Sequence, residues 1–331
     1  MHYLVRQPPL AGCCLFSLLL SRGCSSACSA IDGGGSAMAT IIHPKSQLKS
    51  QSWYRFTHFL SVFMIYFALL IFIILALYPM LTMLMNSFKS DNEMYRNPVA
   101  LPIVWTLKSY AAIFEYHGGM WLNFINSAIV AVTSTLFSVI LCALAAFAFA
   151  KYRFKGRSLI FALLLGTMMV PSEVTMPGLF IAFAQLKWIN TLQAQILPTI
   201  TSVSGLFLIR QYMLEIPDAL LDAARIDGAN HLQVFWYVMV PTSAPVLGAY
   251  AILHFLGVWN AYTWPTLVAT KRAVQPIMVV LPQIVDPVIG FVPAWGTIMA
   301  GCVLSTLPLL IVFLAFQEQF LSSVTIGAVK E

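Results

Sequence analysis

The amino-acid sequence predicts an all-α, polytopic membrane protein with six transmembrane helices. Of its 331 residues, 60% are hydrophobic and only 9% are charged. A soluble protein carries about 25% charged residues, so lipid is the expected solvent for most of this chain. Six apolar runs are each about 20 residues long, which is the length that crosses a bilayer as a helix. Basic residues gather at the ends of these runs, which fits the positive-inside rule and argues against nucleic-acid binding.

Each predicted span is one of these apolar runs, bounded by polar or turn-forming residues. The first is "FLSVFMIYFALLIFIILALYPMLT" and the third is "SLIFALLLGTMMVPSEVTMPGLFIA", which contains two prolines expected to bend it. In chain order the predicted spans are 59–82, 125–149, 158–182, 192–212, 243–264 and 296–317.

Residues 1–37 differ in composition from the rest of the chain. The run "GCCLFSLLL" is too short to span a bilayer and precedes the loop-like "SRGCSSACSAIDGGGSA". It fits the apolar region of a signal peptide, or an upstream extension of a protein whose natural start is Met38. In both interpretations 1–37 is an N-terminal extension outside the fold. A cytoplasmic N-terminal segment is then expected over 38–58, and a six-helix transmembrane domain over 59–331.

The distribution of basic residues predicts how the spans are oriented. The segment "KYRFKGR" at 151–157 holds four basic residues and no acid, which marks the cytoplasmic side. Counting spans from it places both termini in the cytoplasm, together with the loop at about 213–242. Residues 83–121 and 265–295 are then expected on the opposite side.

The cytoplasmic loop, "EIPDALLDAARIDGANHLQVFWYVMVP", has the pattern of two short helices joined at a glycine. Pro217 suits the first turn of the first helix, where its missing N–H would have no partner in any case. Gly228 suits the end of that helix, because glycine readily adopts positive φ there. A second helical piece carries Phe235 and is expected to stop at Pro241. This pattern predicts a compact knob that projects into the cytoplasm.

An amphipathic helix lying on the membrane surface is the alternative interpretation of this loop. Its charge argues against that interpretation, because an anionic inner leaflet attracts basic side chains. The acids that fall within this short stretch are Glu215, Asp218, Asp222 and Asp227, four of the twelve in the chain. An acidic knob is better suited to a protein partner.

The loop resembles the EAA loop of binding-protein-dependent ABC importer permeases. That family pattern runs E-A-A-x-x-D-G-A and ends in apolar-x-apolar-Pro; here aspartate replaces the first glutamate and keeps the carboxylate. The segments "AFAKYRFKGR", "MVPSEVTMPGLF", "NTLQAQILP" and "WNAYTWP" extend the resemblance over about 55–331. They are similar to the carbohydrate-uptake branch that includes the six-span permease of the maltose transporter. The residues that the resemblance implies in coupling to an ATPase are Asp222, Ala223, Ala224, Asp227, Gly228, Ala229, Phe235 and Pro241.

The resemblance implies a transporter subunit, not an enzyme, in a bacterial or archaeal cytoplasmic membrane. Its implied partners are a homologous permease, two ATPase subunits and an extracytoplasmic solute-binding protein. The chain has no G-x-x-x-x-G-K-[ST] phosphate-binding loop. ATP and Mg²⁺ are therefore expected on the ATPase subunits, with no cofactor or metal on this chain. ATP binding would move the docked loop and switch the spans between inward-facing and outward-facing states.

Three residues are predicted candidates for the solute pathway. Glu173 lies between two prolines of the third span, and acids inside spans usually face a cavity; the alternative is an interhelical hydrogen bond. Trp259 and Asn260, near the outer end of the fifth span, offer an aromatic face and an amide that suit a sugar. Their alternative role is in an interfacial aromatic belt. The resemblance implies a carbohydrate, and it leaves a polyol or a glycerol phosphate open.

Two other classes of function remain. An ion-coupled secondary transporter would favour inverted repeats and broken helices around a midplane ion site. The sequence offers one candidate buried acid and no clear repeat, and this class leaves the acidic loop unexplained. A membrane-embedded enzyme would need a catalytic pattern, and the chain has neither H-E-x-x-H nor G-x-S-x-G.

Overall fold

The computed structural model describes residues 47–116, 119–285 and 292–328, and these residues form an all-α structure. A single antiparallel bridge, between Val285 and Pro293, is the only strand-like pairing within these ranges. The predicted N-terminal extension over 1–37 lies outside the described residues. The chain divides into two compact units, Met1–Ala68 and Leu69–Glu331.

Helices account for most of the described residues. The α-helices are α1 (Gln47–Asn86), α2 (Asp91–Arg96), α3 (Lys108–Glu115), α4 (Trp121–Lys151), α5 (Arg157–Thr167), α6 (Ser172–Gln185), α7 (Leu192–Ile196), α8 (Val203–Glu215), α9 (Asp218–Ile226), α10 (His231–Val234), α11 (Val240–Thr242), α12 (Ala244–Trp259), α13 (Thr263–Val268), α14 (Ile277–Val280) and α15 (Trp295–Ala328). Short 3₁₀ turns cover Leu197–Thr199, Arg272–Val274 and Leu281–Gln283, and a π-helical turn covers Phe235–Met239.

The helices provide up to six membrane crossings, which confirms the predicted fold class. Among the described residues, three helices are individually long and apolar enough to cross: His58–Asn86 of α1, all of α4, and Trp295–Gln317 of α15. Three further crossings are bent pairs. The first pair is α5 and α6, which meet at a bend of 96°. The second is Leu192–Thr199 with α8, bent by 40°, and the third is His231–Thr242 with α12, bent by 78°.

The third span is broken, which corrects the prediction of one bent helix over 158–182. α5 ends at Thr167, and α6 begins at Ser172, directly after Pro171. Proline lacks an N–H and disfavours helical geometry in the residue before it, so a helix readily ends there. Pro177 lies inside α6 without ending it. Only the first of the two prolines therefore coincides with the break.

The fifth span is shorter than predicted. α12 ends at Trp259 instead of continuing to 264. Asn260 follows it, and both its backbone N–H and its Nδ2 donate to the carbonyl oxygen of Leu256, at 3.1 Å and 2.9 Å. The chain then turns and restarts as α13, with Pro265 in the first turn of that helix.

α4 packs against more elements of the second unit than any other described helix. It contacts α8 and α12, and α12 in turn contacts α15. One apolar cluster joins α4, α8 and α12 to the segment between α8 and α12, through side chains such as Phe147, Ile209 and Phe235. A second cluster joins α4 and α12 to α3, α14 and α15, through Ile113 and Ile298 among others.

The segment between α13 and α14 is attached to the first turn of α4 by a buried amide. Asn123 is buried, and its Nδ2 donates to the carbonyl oxygens of Gln275 at 2.8 Å and Arg272 at 3.3 Å. Nearby, the backbone N–H of Ile277 donates to Oγ of Ser127 at 2.8 Å. These bonds fix the loop on the end of α4 opposite Lys151.

Replacing Asn123 by leucine is expected to lower the thermal stability of the purified protein. The change keeps the branched shape of the side chain, with a larger volume, but removes the donor of two hydrogen bonds, each contributing about 1 kcal/mol. Thermal unfolding in detergent measures the effect, with Asn92→Leu as the control because Asn92 is exposed. Equal melting temperatures for the two variants would contradict the proposed role of Asn123.

Candidate functional site

The segment between α8 and α12 forms the helix–glycine–helix knob that the sequence predicts. We call residues 216–242 the coupling loop; the predicted start at 213 lies inside α8, which continues to Glu215. Pro217 is the N-cap residue of α9, with φ −61° and ψ 135°, one position before the first turn in which it was expected. The fixed φ of proline sets the direction in which the chain leaves α8. Asp218 then lies in the first turn, near the positive end of the helix.

The turn at Gly228 has the geometry that the sequence predicts. Gly228 has φ +87°, and its N–H donates to the carbonyl oxygen of Arg225 at 3.0 Å. The next N–H, of Ala229, donates to the carbonyl oxygen of Ala224 at 3.0 Å. These two bonds form a Schellman motif, which satisfies the last carbonyls of α9. Glycine is favoured here because an L-residue at positive φ is strained.

The second half of the loop begins with a well-formed helix cap. Oδ1 of Asn230 accepts from the N–H of Gln233 at 2.9 Å, and Oε1 of Gln233 accepts from the N–H of Asn230 at 2.8 Å. This reciprocal capping box starts α10. The helical path continues through the π-helical turn into α11 and ends at Thr242, one residue after the predicted stop at Pro241.

The coupling loop presents only part of the predicted motif to its surroundings. The side chains that are exposed are Asp222, Ala223, Asp227 and Pro241, and Gly228 is exposed as well. Ala224 and Ala229 are half-buried against the bundle, and Phe235 is 1% exposed. Ile226, at a position that the motif leaves open, is 86% exposed. Leu221 turns inward on the same helix, so Ile226 is carried to the opposite, outward face.

The charge on the exposed face of the loop is mainly acidic. Asp222 pairs with Arg225 at 3.2 Å, and both side chains are well exposed, so this pair contributes less than about 1 kcal/mol. A hydrogen bond from Lys151, reinforced by the charge of Lys151, holds the pKa of Asp218 below its usual range. At neutral pH Asp218 is therefore ionised, and the same helix exposes the side chain of Ile226.

The three predicted solute-pathway residues have different surroundings. Glu173 is exposed in the first turn of α6, where Oε1 accepts from Oγ of Ser172 at 3.2 Å. Trp259 is 3% exposed, and its Nε1 donates to the carbonyl oxygen of Ser305 at 3.2 Å, so it packs α12 against α15. Asn260 is exposed and caps α12. Their contact with a solute stays a prediction.

A cavity that no sequence pattern predicts lies between α4, α7, α12 and α13. It opens to solvent, and the space between its walls is about 370 Å³ with the open part included. The residues lining it include Ser127, Gln195, Thr199, Trp264 and Pro276. Gln195 is buried and donates through Nε2 to the carbonyl oxygen of Val274 at 2.9 Å, while Oε1 has no partner among the described residues. No sequence pattern distinguishes Gln195 from Gln193, which is exposed on the same helix, because a single glutamine does not by itself indicate a ligand site.

Comparison with known proteins identifies the chain as a member of a transport family. The family described as binding-protein-dependent transport system inner membrane component matches residues 138–326, which include the coupling loop. The arabinooligosaccharides transport system permease protein AraQ of Halalkalibacterium halodurans is 35% identical over 80% of this chain and 94% of its own length. The trehalose/maltose transport system permease protein MalG of Thermococcus litoralis is 33% identical over 78% and 92%.

The same architecture occurs in a solved transporter. A chain from the crystal structure of a bacterial ABC transporter involved in the import of the acidic polysaccharide alginate superposes with a TM-score of 0.69. It is 24% identical, and the superposition covers 78% of this chain and 97% of that one, so it supports the fold alone. The family match, the identity to full-length relatives and the helical membrane fold agree: this chain belongs to the inner membrane components of binding-protein-dependent transport systems.

Proposed function

We propose that this chain is the permease subunit of an ATP-driven importer for a carbohydrate or a related solute. The observation that carries the proposal is the exposed coupling loop. Its first helix is closed by a glycine turn, its second begins with a capping box, and the buried ring of Phe235 anchors it to the bundle. Such a loop is a rigid body that transmits an outside force to the spans as a lever. ATP drives alternating access in this mechanism because nucleotide binds the two states with different affinity.

The proposed solutes are sugars or oligosaccharides, with polyols and glycerol phosphate as chemically related alternatives. Support comes from the relatives, which are permeases for arabinooligosaccharides and for trehalose and maltose. We place Glu173 and Asn260, both exposed in this chain, on the solute pathway. Trp259 is assigned there as a buried support behind Asn260, because it holds the end of α12 against α15.

The proposed complex contains a homologous permease, two ATPase subunits that hold ATP and Mg²⁺, and an extracytoplasmic solute-binding protein. The chain would lie in the cytoplasmic membrane of a bacterium or archaeon, with both termini in the cytoplasm. The exposure of two spans supports the presence of a second membrane subunit in addition to lipid. The apolar window of α1 has no buried residue, and α5 has none over its whole length. Apolar helices this exposed in one chain need lipid or another apolar helix around them.

Replacing Ile226 by aspartate is expected to abolish association with the ATPase subunits. Ile226 is 86% exposed, so the substitution should leave the fold unchanged. In the docked state the new carboxylate would lie unpaired in an apolar contact, at a cost of about 3–5 kcal/mol. The test is purification of the tagged chain from its native membranes. The readouts are copurified ATP hydrolysis and a copurified subunit with a G-x-x-x-x-G-K-[ST] sequence.

Ile103→Asp is the matched control, because Ile103 is 77% exposed and lies in the segment proposed to face the other side of the membrane. Retention of the ATPase by the wild type and by Ile103→Asp, with loss from Ile226→Asp, would support the proposal. If the wild type never copurifies an ATPase, or Ile226→Asp retains one, the coupling assignment fails. Of these two results, only the absence of an ATPase from the wild type would favour an ion-coupled secondary transporter.

A further inference from the structure

A buried lysine at the end of α4 holds the first half of the coupling loop. Lys151 is the last residue of α4, and its side chain is 4% exposed. Its Nζ donates to the carbonyl oxygen of Ile216 and to Oδ1 of Asp218, the latter at 2.7 Å. Ile216 is the C-cap residue of α8, and Asp218 is the first residue of α9. One ammonium group therefore joins α4 to the point at which the loop leaves the bundle.

The next residue holds the second half of the loop. The hydroxyl oxygen of Tyr152 lies 2.7 Å from Nδ1 of His231, and the two rings meet edge to face with centroids 5.3 Å apart. His231 is the first residue of α10. One turn earlier in α4, Phe147 packs on Phe235 with ring centroids 5.7 Å apart. α4 therefore contacts both helical halves of the coupling loop.

These contacts are the route by which the loop can act on α4. The chain connects the loop covalently to α8 and α12 but not to α4, although α4 packs against both. Hydrogen bonds to a charged donor are about twice as strong as those between neutral groups. Asp218 is largely exposed and contributes little as an ion-pair partner. The buried ammonium and the carbonyl of Ile216 therefore provide most of the geometric constraint.

We propose that Lys151 and Tyr152 are positioning residues that transmit movement of the coupling loop to α4. This inference rests on the proposed function, since it presupposes that an ATPase moves the loop. It goes further by naming the helix that follows the loop and the side chains that connect the two. Lys151 fixes the point where the loop leaves α8, and Tyr152 fixes the second helix. The loop and α4 then move as one body when ATP closes the ATPase pair.

The test measures movement of α4 in the assembled complex and needs no knowledge of the solute. Spin labels are attached to cysteines at Val132 in α4 and Ile311 in α15, which are both exposed, after the native cysteines are replaced by serine. Pulsed electron paramagnetic resonance then gives the distance between the labels, with and without MgATP and vanadate. ATPase copurification and ATP hydrolysis are recorded for the same samples.

The wild type is expected to show an ATP-dependent change in this distance. Lys151→Met should retain the ATPase and its hydrolysis but lose the distance change, and Lys151→Arg should restore it because it can still donate to Ile216. Tyr152→Phe should reduce the change, because it removes only the hydroxyl. Lys155→Met is the control: Lys155 belongs to the same basic segment but is exposed, so the change should be as in the wild type.

Each remaining outcome overturns the inference. A wild-type complex with an active ATPase and no distance change would show that α4 does not follow the loop. A normal change in Lys151→Met would show that its contacts are dispensable, and loss of the ATPase from that variant would show that Lys151 only shapes the docking surface. If Lys151→Met does not fold, the Tyr152→Phe variant provides the test. A normal ATP-dependent distance change in Tyr152→Phe would exclude transmission through the Tyr152 hydroxyl. Absence of any ATPase from the wild type would contradict the proposed function itself. That result is distinguishable from a failure of the inference about Lys151 and Tyr152, in which the ATPase is present.

Discussion

Replacing Gly205 by leucine is expected to prevent accumulation of the folded protein. Gly205 lies in α8, where it faces the ring of Tyr250 in α12 so closely that even a Cβ atom would overlap the ring. Tyr250 cannot swing aside, because its side chain is buried and its hydroxyl lies 2.6 Å from Oγ of Ser138. Small residues at such crossings let membrane helices approach closely. Overpacking a tight interior costs about 1–3 kcal/mol or more.

The expected effect is measured as the yield of monodisperse protein after detergent extraction and as its melting temperature. Gly257→Leu is the matched control, because Gly257 belongs to α12 and a Cβ atom there meets nothing within 4 Å. Replacing Tyr250 by alanine in the Gly205→Leu variant should recover part of the yield by opening space for the new side chain. A Gly205→Leu variant as stable as Gly257→Leu would contradict the close packing of α8 on α12.

The features that could be predicted from the sequence are those that a local pattern determines. Apolar length alone locates the crossings, since lipid accepts any side chain that is apolar enough. The glycine turn could be predicted because a helix end with a residue at positive φ favours glycine, and Gly228 has φ +87°. Both predictions depend on a few neighbouring residues and on no distant contact.

The features that could not be predicted depend on distant contacts. Pro171 coincides with a break and Pro177 does not, although both occur in the same apolar run. Trp259 was a candidate for the solute pathway or for an interfacial belt, and its burial depends on α15, where the carbonyl oxygen of Ser305 accepts from its indole. The exposure of Ile226 likewise follows from how Leu221 inserts into the bundle. A motif identifies the residues of the loop but does not show which face is outward.

Replacing Gly228 by proline is expected to abolish ATPase association while the spans remain inserted. Proline fixes φ near −65°, whereas Gly228 has φ +87° and donates its N–H to the carbonyl oxygen of Arg225. Proline can satisfy neither requirement, so the turn between α9 and α10 must open, at a cost of about 3 kcal/mol or more. That cost lowers the population of the closed turn by roughly a hundredfold. Copurified ATPase activity measures the loss.

Two substitutions at the same position separate the shape of the turn from the identity of its residue. Gly228→Asn should retain most of the ATPase, because asparagine adopts the left-handed conformation more readily than other L-residues and keeps its N–H. Gly228→Ala should be intermediate: a Cβ atom meets nothing within 4 Å there, so only the strain of positive φ, about 1–2 kcal/mol, remains. An order of Gly, Asn, Ala, Pro in retained ATPase would follow the backbone alone. If Gly228→Pro retained as much ATPase as Gly228→Asn, docking would not depend on the folded turn, and the lever would have to lie elsewhere in the chain.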